Sequence, residues 1–373
     1  MSISIAHVVG ARPNLVKAAP VVAALGDLDQ SVLHTGQHYD ERLSKVFFDE
    51  LGLPEPDVNL GVGSGGHAEQ TAAVMVGLER EFVRRAPDLV VVYGDVNSTI
   101  AAALVAAKLR VPVAHVEAGL RSFDMTMPEE VNRRLTDQLS DLCLVTSPEA
   151  IGHLAAEGIP VDRAHLVGNP MIDTLLANLG KFDTGKVRAA HGLPERYVLA
   201  TMHRPANVDA PETAAALVRH LHSVADLADV VIPVHPRGRA NLIAAGLDDH
   251  PRVHVLEPLG YIDFIAAVRG AAAVVTDSGG LQEETTMLRV PCLTVRPNTE
   301  RPITITHGTN RLVTFEELVP AAGKALSAPE RHHLSLVGGR PPTPPGTDRM
   351  PPLWDGHAGE RIAGVIRDWT GAA

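Results

Sequence analysis

The chain alternates, over most of its length, between short β-branched runs and longer Ala/Leu-rich stretches, and this alternation limits its possible folds more than any other feature. "ISIAHVVG", "SVLHTG", "LVVVYG", "VPVAHVE" and "LCLVTS" have the length and character of strands. The segments after Pro13, Glu41, Thr71, Ser98 and Glu129 have helical spacing. Strands that are almost continuously apolar are buried on both faces, which calls for a parallel sheet covered by helices on each side. The cycle restarts at "YVLATMH" and continues through "VVIPVH", "VHVLEP", "AAAVVTD" and "PCLTV". The expectation is an α/β protein with two Rossmann-like doubly wound domains facing a cleft. They are placed at residues 1–172 and 185–350, with a polar connection over 173–184. "GGRPPTPPGTDRMPP" reads as a Pro-rich spacer. "HAGERIAGVIRDW" reads as an amphipathic helix over 356–370 that packs back on the first domain.

With 373 residues, 45% of them apolar, the chain can fill two cores. Its charge balance, 33 − 44 = −11, contains no block of like charges, so neither a nucleic-acid surface nor a polyanion surface is expected. Any bound anion must be held locally. The two cysteines, Cys143 and Cys292, sit in apolar stretches without a C-x-x-C pattern, which suits a reducing cytoplasm. No basic leader and no run near 18 apolar residues is present, so a soluble protein without a membrane partner is expected.

In open parallel sheets ligands sit beyond the carboxyl ends of the strands. There the sequence places "GARPNLVK", "TGQH", "GDVNST", "EAGLRS" and "MPEEVNR" in the first half, and "MHRPAN", "HPRGR" and "DSGGLQEE" in the second. The last stretch is the most informative. A strand ending in Asp277-Ser278, two glycines that allow close backbone approach, and a helix starting near Leu281 make a phosphate cradle from free N–H groups and the positive helix end. A carboxylate of that helix would repel a phosphate and suits a ribose diol instead. Glu283 and Glu284 are adjacent, hence about 100° apart on a helix, so only one can face the ligand.

Taken together, "GARPNLVKAAPV", "TGQHYDERLS", "PDLVVVYGDVNST", "PVAHVEAGLRSFDMTMPEEVNR", "VGNPMIDTL", "TMHRPANVD", "PVHPRGR", "EPLGYIDF", "TDSGGLQEE" and "RPNTERPIT" resemble the non-hydrolysing UDP-N-acetylglucosamine 2-epimerases, in order, from about residue 3 to 313. The resemblance implies a glycosyltransferase-B type fold, a homodimer, UDP-N-acetylglucosamine and UDP as ligands, and neither metal nor nicotinamide. It also implies inversion at C2 by elimination of UDP to 2-acetamidoglucal and re-addition, giving UDP-N-acetylmannosamine. By the same resemblance Asp95, Glu117 and Glu129 handle protons, and His203 contacts the departing diphosphate. Arg12 and Lys17 close on it with Arg301 nearby, and Arg133 anchors the sugar-side loop. Phe264 stacks on uracil, His235 belongs to the pocket, and Ser278, Gly279, Gly280 and Glu284 hold phosphate and ribose.

The chain departs from many relatives at Asn14, in "GDVNST" and in "HRPAN", which marks a subgroup. By the resemblance, some members bind an activating second substrate molecule near the Gln-His pair matched by Gln37 and His38, alongside residues near Glu130, Arg204 and His235, although Tyr39-Asp40 and Pro205 differ there. The spacing His34-x-x-x-His38 does not suit a metal, because a strand end and a loop do not share a helical face. Alternatives are a hydrolysing epimerase, an epimerase of a modified UDP-N-acetyl sugar, a glycosyltransferase of the same fold, and an idle nucleotide-sugar sensor.

Overall fold

The computed structural model describes residues 3–37, 48–327 and 350–371. His38 and the start of the helix expected after Glu41 lie outside the described residues, and residues 48–51 are helical. The chain divides into two compact units, Met1–Ala177 with Pro352–Ala373, and Asn178–Pro351.

The first unit holds a seven-stranded parallel sheet of β1 (Ser4–Val9), β2 (Asp29–His34), β3 (Val58–Asn59), β4 (Leu89–Tyr93), β5 (Val113–Ala118), β6 (Leu142–Val145) and β7 (Ala164–Leu166). Their order is β3-β2-β1-β4-β5-β6-β7, so the direction of winding reverses between β1 and β4. Every residue of β4 and β5 is buried, as near-continuous apolar runs require. The Ala-rich helix Asn97–Leu109 packs on β1 and β4, and small side chains at Ala101, Ala102, Ala103 and Ala106 allow the close approach.

Helix Arg12–Ala24 carries Pro20 in its interior. Proline has no N–H to offer the carbonyl four residues back. That carbonyl, on Val16, instead accepts from Thr174 Oγ1 at 2.6 Å. The C-terminal helix Ala358–Thr370 packs on the same helix, where Gly359 comes so close that a Cβ would meet the Pro20 carbonyl oxygen at 2.6 Å. Arg367 closes the contact by donating to Ala24 O at 3.0 Å.

The second unit repeats the plan with six strands, β8 (Tyr197–Thr201), β9 (Asp229–Pro233), β10 (Val253–Leu256), β11 (Ala273–Thr276), β12 (Cys292–Val295) and β13 (Asn310–Val313). The order is β10-β9-β8-β11-β12-β13, with its reversal between β8 and β11. Its core clusters β8, β9 and β11 with helices Pro211–Ala225 and Phe315–Leu326, through Leu217, Leu221, Val230, Val275 and Leu318 among others.

Local structure departs from the sequence reading in three places. The expected connection 173–184 is largely helical: helix Pro170–Ala177 runs into it, a 3-10 turn covers Leu179–Lys181, and helix Thr184–His191 opens at its end under an Asp183 cap. The reason is burial, since Met171, Ile172 and Leu175 belong to the core of the first unit. Short β3, β7 and β13 lack a sustained apolar run and are recruited by the edges of the sheets. The helix expected after Thr71 begins at His67.

Candidate functional site

Open α/β sheets bind ligands where the winding reverses, and in both units the singled-out residues collect there.

In the first unit, helix Arg12–Ala24 starts directly after β1, with Arg12 and Pro13 in its opening turn. Asn14 takes the capping duty that Ala11 cannot: its Oδ1 accepts from the Gly10 and Ala11 N–H groups at 3.1 and 3.0 Å, and its Nδ2 donates to Tyr93 O at 2.8 Å. One turn later Lys17 ion-pairs with Glu117, and both side chains are buried. Glu117 has φ 79°, in the left-handed region, at a register shift between β5 and β6. A non-glycine residue held there carries strain of about 1–3 kcal/mol, maintained only by its surroundings. Gly94, φ 65°, forms the adjoining wall: a Cβ on it would lie 3.2 Å from both Glu117 Oε2 and Lys17 Nζ.

Asp95 follows immediately and is partly exposed. Its carboxylate ion-pairs with Arg133, which also holds Glu130. Glu130 is fully buried and accepts from Ser122 N, Ser122 Oγ and Phe123 N at 2.9, 2.8 and 3.1 Å. Burial alone would raise its pKa, but those bonds and the Arg133 charge outweigh it and leave the group below the usual carboxylate range. Glu130 is thereby committed to the 122–123 loop. Its neighbour Glu129 is half-buried and accepts no hydrogen bond among the described residues.

In the second unit, Asp277 stands at the end of β11, completely buried. It accepts from the backbone N–H groups of His203 and Arg204, from Asn207 Nδ2, and from His203 Nδ1 at 2.9 Å. These contacts override the upward push of burial and keep Asp277 ionised below its ordinary range. The His203 ring, 42% exposed, is thus oriented with Nε2 outward. The ring of His235 lies 5.9 Å from it, centroid to centroid, at the N-cap of helix Pro236–Ala244.

Helix Gly280–Leu288 begins behind Ser278 and Gly279 with no side chain capping it. Its first N–H groups and positive end lie where the sequence reading places an anion cradle. At Gly279 a Cβ would stand 2.6 Å from Arg301 Nη1 and from Glu300 Oε1, so any larger residue there would have to displace that ion pair. Arg301 is engaged with Glu300 and, through Nε at 3.0 Å, with Glu283. Arg296 Nη2 binds Glu300 at 2.7 Å. Glu283 is therefore part of a buried ionic chain, and Glu284 is the member of the pair left outside it. Glu284 is buried too, and its pKa is pushed up to about 8, first by burial and then by the Glu283 charge, with a Tyr261 hydrogen bond acting the other way. Phe264, half-buried, lies one turn beyond Tyr261 on helix Tyr261–Gly270.

The first unit thus brings together Lys17, Asp95, Glu117 and Arg133, with Arg12 and Glu129 at the openings of the adjoining helices. The second brings together His203, His235, Ser278, Gly279, Gly280, Glu284 and Arg301. Sequence reasoning missed Asn14 as a cap, Glu130 as a loop clamp and Asp277 as the carboxylate that orients His203. Only the last had a signal, its place at a strand end opposite "MHRPAN". Among the described residues no group of three His, Cys, Asp or Glu is arranged to hold a metal, and no helix is long and apolar enough to cross a membrane.

Two Rossmann-like units, one bearing paired carboxylates and the other an uncapped helix end beside His203, define an α/β protein of the glycosyltransferase-B type fold. The family model described as UDP-N-acetylglucosamine 2-epimerase matches residues 22–367, and the chain belongs to that family. A UDP-N-acetylglucosamine 2-epimerase of Methanocaldococcus jannaschii is 41% identical over 96% of this chain and 97% of its own. A UDP-2,3-diacetamido-2,3-dideoxy-D-glucuronate 2-epimerase of Pseudomonas aeruginosa is 39% identical over 89% and 95%. The crystal structure of the M. jannaschii UDP-GlcNAc 2-epimerase with UDP-GlcNAc and UDP superposes with a TM-score of 0.89 at 37% identity, covering 98% of this chain and 100% of that one.

Proposed function

We propose that the chain interconverts UDP-N-acetylglucosamine and UDP-N-acetylmannosamine without net hydrolysis. The observation that carries the reading is Glu117, strained, buried and paired to Lys17, with Asp95 one residue past the Gly94 wall. A C2 proton of low acidity must be taken from one face of the sugar and returned to the other, so two proton handlers are needed. Asp95, Glu117 and Glu129 supply the carboxylates for this work.

As the C2–H bond yields its electrons to a C1=C2 double bond, the C1–O bond breaks and UDP departs, leaving 2-acetamidoglucal. Attack of the diphosphate oxygen on C1, with protonation of C2 from the opposite face, gives the epimer. His203, oriented by Asp277, and the helix end at Ser278–Gly280 stabilise charge on the leaving diphosphate. Glu284 takes the ribose diol, Phe264 the uracil and Arg301 the support of the cradle. The reaction is redox-neutral and these groups suffice for it, so activity is expected to survive chelation. The family resemblance adds a homodimer, which equilibrium sedimentation would test.

A second reading rests on the P. aeruginosa relative, whose substrate carries a second acetamido group and a carboxylate. Proton NMR of UDP-GlcNAc incubated with the protein in deuterated water discriminates. Deuterium at C2 with both epimers present supports the proposal, while free N-acetylmannosamine and UDP indicate hydrolysis. No exchange with UDP-GlcNAc, but exchange with a 2,3-diacetamido uronate, transfers the assignment to the modified sugar.

A further inference from the structure

The reaction as assigned makes no use of a fully buried histidine behind the carboxylates, His115 on β5. Its Nε2 lies 2.8 Å from the carbonyl oxygen of Gly94, and its Nδ1 lies 2.7 Å from Asp137 Oδ1. A carbonyl oxygen can only accept. Asp137 is also an acceptor: burial would raise its pKa, but the His115 and Arg121 charges and hydrogen bonds outweigh that and hold the carboxyl below its usual range. Its Oδ2 is occupied by Arg121 Nη2 at 2.7 Å and Gly119 N at 3.1 Å. A neutral imidazole has one N–H and could serve only one of these two acceptors; the imidazolium serves both.

We propose that His115 is a positioning residue for the epimerase reaction, held as an imidazolium between Asp137 and the Gly94 carbonyl, where it fixes the Gly94–Asp95 turn against the Glu117–Lys17 pair. The inference rests on the function proposed above. Gly94 is held on three sides: its N–H donates to Val116 O at 3.0 Å, its carbonyl is held by His115, and its α-carbon walls Glu117 and Lys17. Rotation of that peptide would move Asp95 and open the wall together. Arg121 binds both Asp137 and Glu157, and the exposed Arg134 also reaches Glu157 at 3.0 Å, so the cluster holds the cations Arg121 and Arg134 and the anions Asp137 and Glu157 beside His115. Paired on β6 stands Cys143, whose thiol burial pushes up to about 12, so it stays neutral; on β4 the partner is the uncharged Val92. On its own strand the nearest charge is Glu117 with Lys17.

The test uses the full chain labelled with 15N-histidine. At the pH of maximal turnover, one ring, assigned by its loss in His115→Gln, should show both nitrogens protonated; a single protonated nitrogen would overturn the proposal. Gln keeps an amide donor for Gly94 but carries no charge. Its kcat should fall on the order of 10²-fold, as small misplacements of reacting groups do, with KM near the parent's. The acid limb of kcat/KM should also move to higher pH, because nearby carboxylates lose a cation. An unmoved limb would reduce His115 to packing and refute the idea. Should His115→Gln fail to fold, Asp137→Asn removes the anion that favours the imidazolium and must lose the doubly protonated ring. If the parent protein exchanges no C2 proton at all, the function assigned above fails, while the ring's protonation still reads independently.

Discussion

Lys17, on the second turn of the first helix, is ion-paired to Glu117, a residue 100 positions later whose backbone lies in the left-handed region at φ 79°. The pair holds a strained carboxylate in a buried setting. Removing one partner of such a pair leaves an uncompensated charge and costs about 3–5 kcal/mol. Lys17→Met should therefore lose about that much in urea unfolding, whereas Glu117→Gln, which is neutral by itself but orphans the lysine, should be rescued in part by Lys17→Met in a double variant. Additive losses would mean that the two do not interact.

Neutral amides separate proton chemistry from architecture. Asp95→Asn, Glu117→Gln and Glu129→Gln should each stay folded by circular dichroism and bind UDP. We expect losses in kcat on the order of 10² to 10⁴ for each, with C2 deuterium exchange falling in parallel. Turnover within a few fold of the parent in all three would reduce the carboxylates to caps and salt-bridge partners.

His203 depends on Asp277, which holds both its backbone N–H and its Nδ1. His203→Ala should weaken UDP binding and elimination together. Asp277→Asn keeps the shape but loses the charge, so it should reproduce much of the His203→Ala effect in calorimetry with UDP. An unchanged affinity would detach Asp277 from the anion site.

Glu284 makes stability depend on pH in a known direction. Its folded pKa is about 8 against an ordinary 4.5, so between these values the folded state holds a proton that the unfolded chain has released. This contribution is full below about 4.5, falls as pH rises and is lost above about 8; it amounts to up to a few kcal/mol. Glu284→Gln should flatten the fall in melting temperature between pH 5 and 8 relative to the parent. Parallel curves would show that Glu284 does not titrate there.

The same residue should matter to the nucleotide. Glu284→Ala is expected to weaken UDP by about 1–3 kcal/mol through loss of its bond to the ribose diol. Calorimetry with UDP measures it directly, and equal affinity would place the ribose elsewhere.

The sequence by itself determined the two parallel sheets, because continuous apolar runs such as "LVVVYG" can be satisfied only by burial on both faces, and each run is followed by a helical stretch. It also located the strand-to-helix junction at Ser278–Gly279, since two glycines after an apolar run mark a tight turn before a helix. It could not decide between Glu283 and Glu284, because helical geometry separates them without saying where either points. Tertiary structure shows where Glu283 points, by bringing Arg301 from 18 positions away onto it. Likewise the strain at Glu117, the Asp277–His203 bond and the clamp of Glu130 on Ser122 and Phe123 join segments that no local pattern connects. Periodicity and turn chemistry act between near neighbours in the chain. Ion pairs and the protonation states they impose depend on which distant elements the folded sheets bring to one edge.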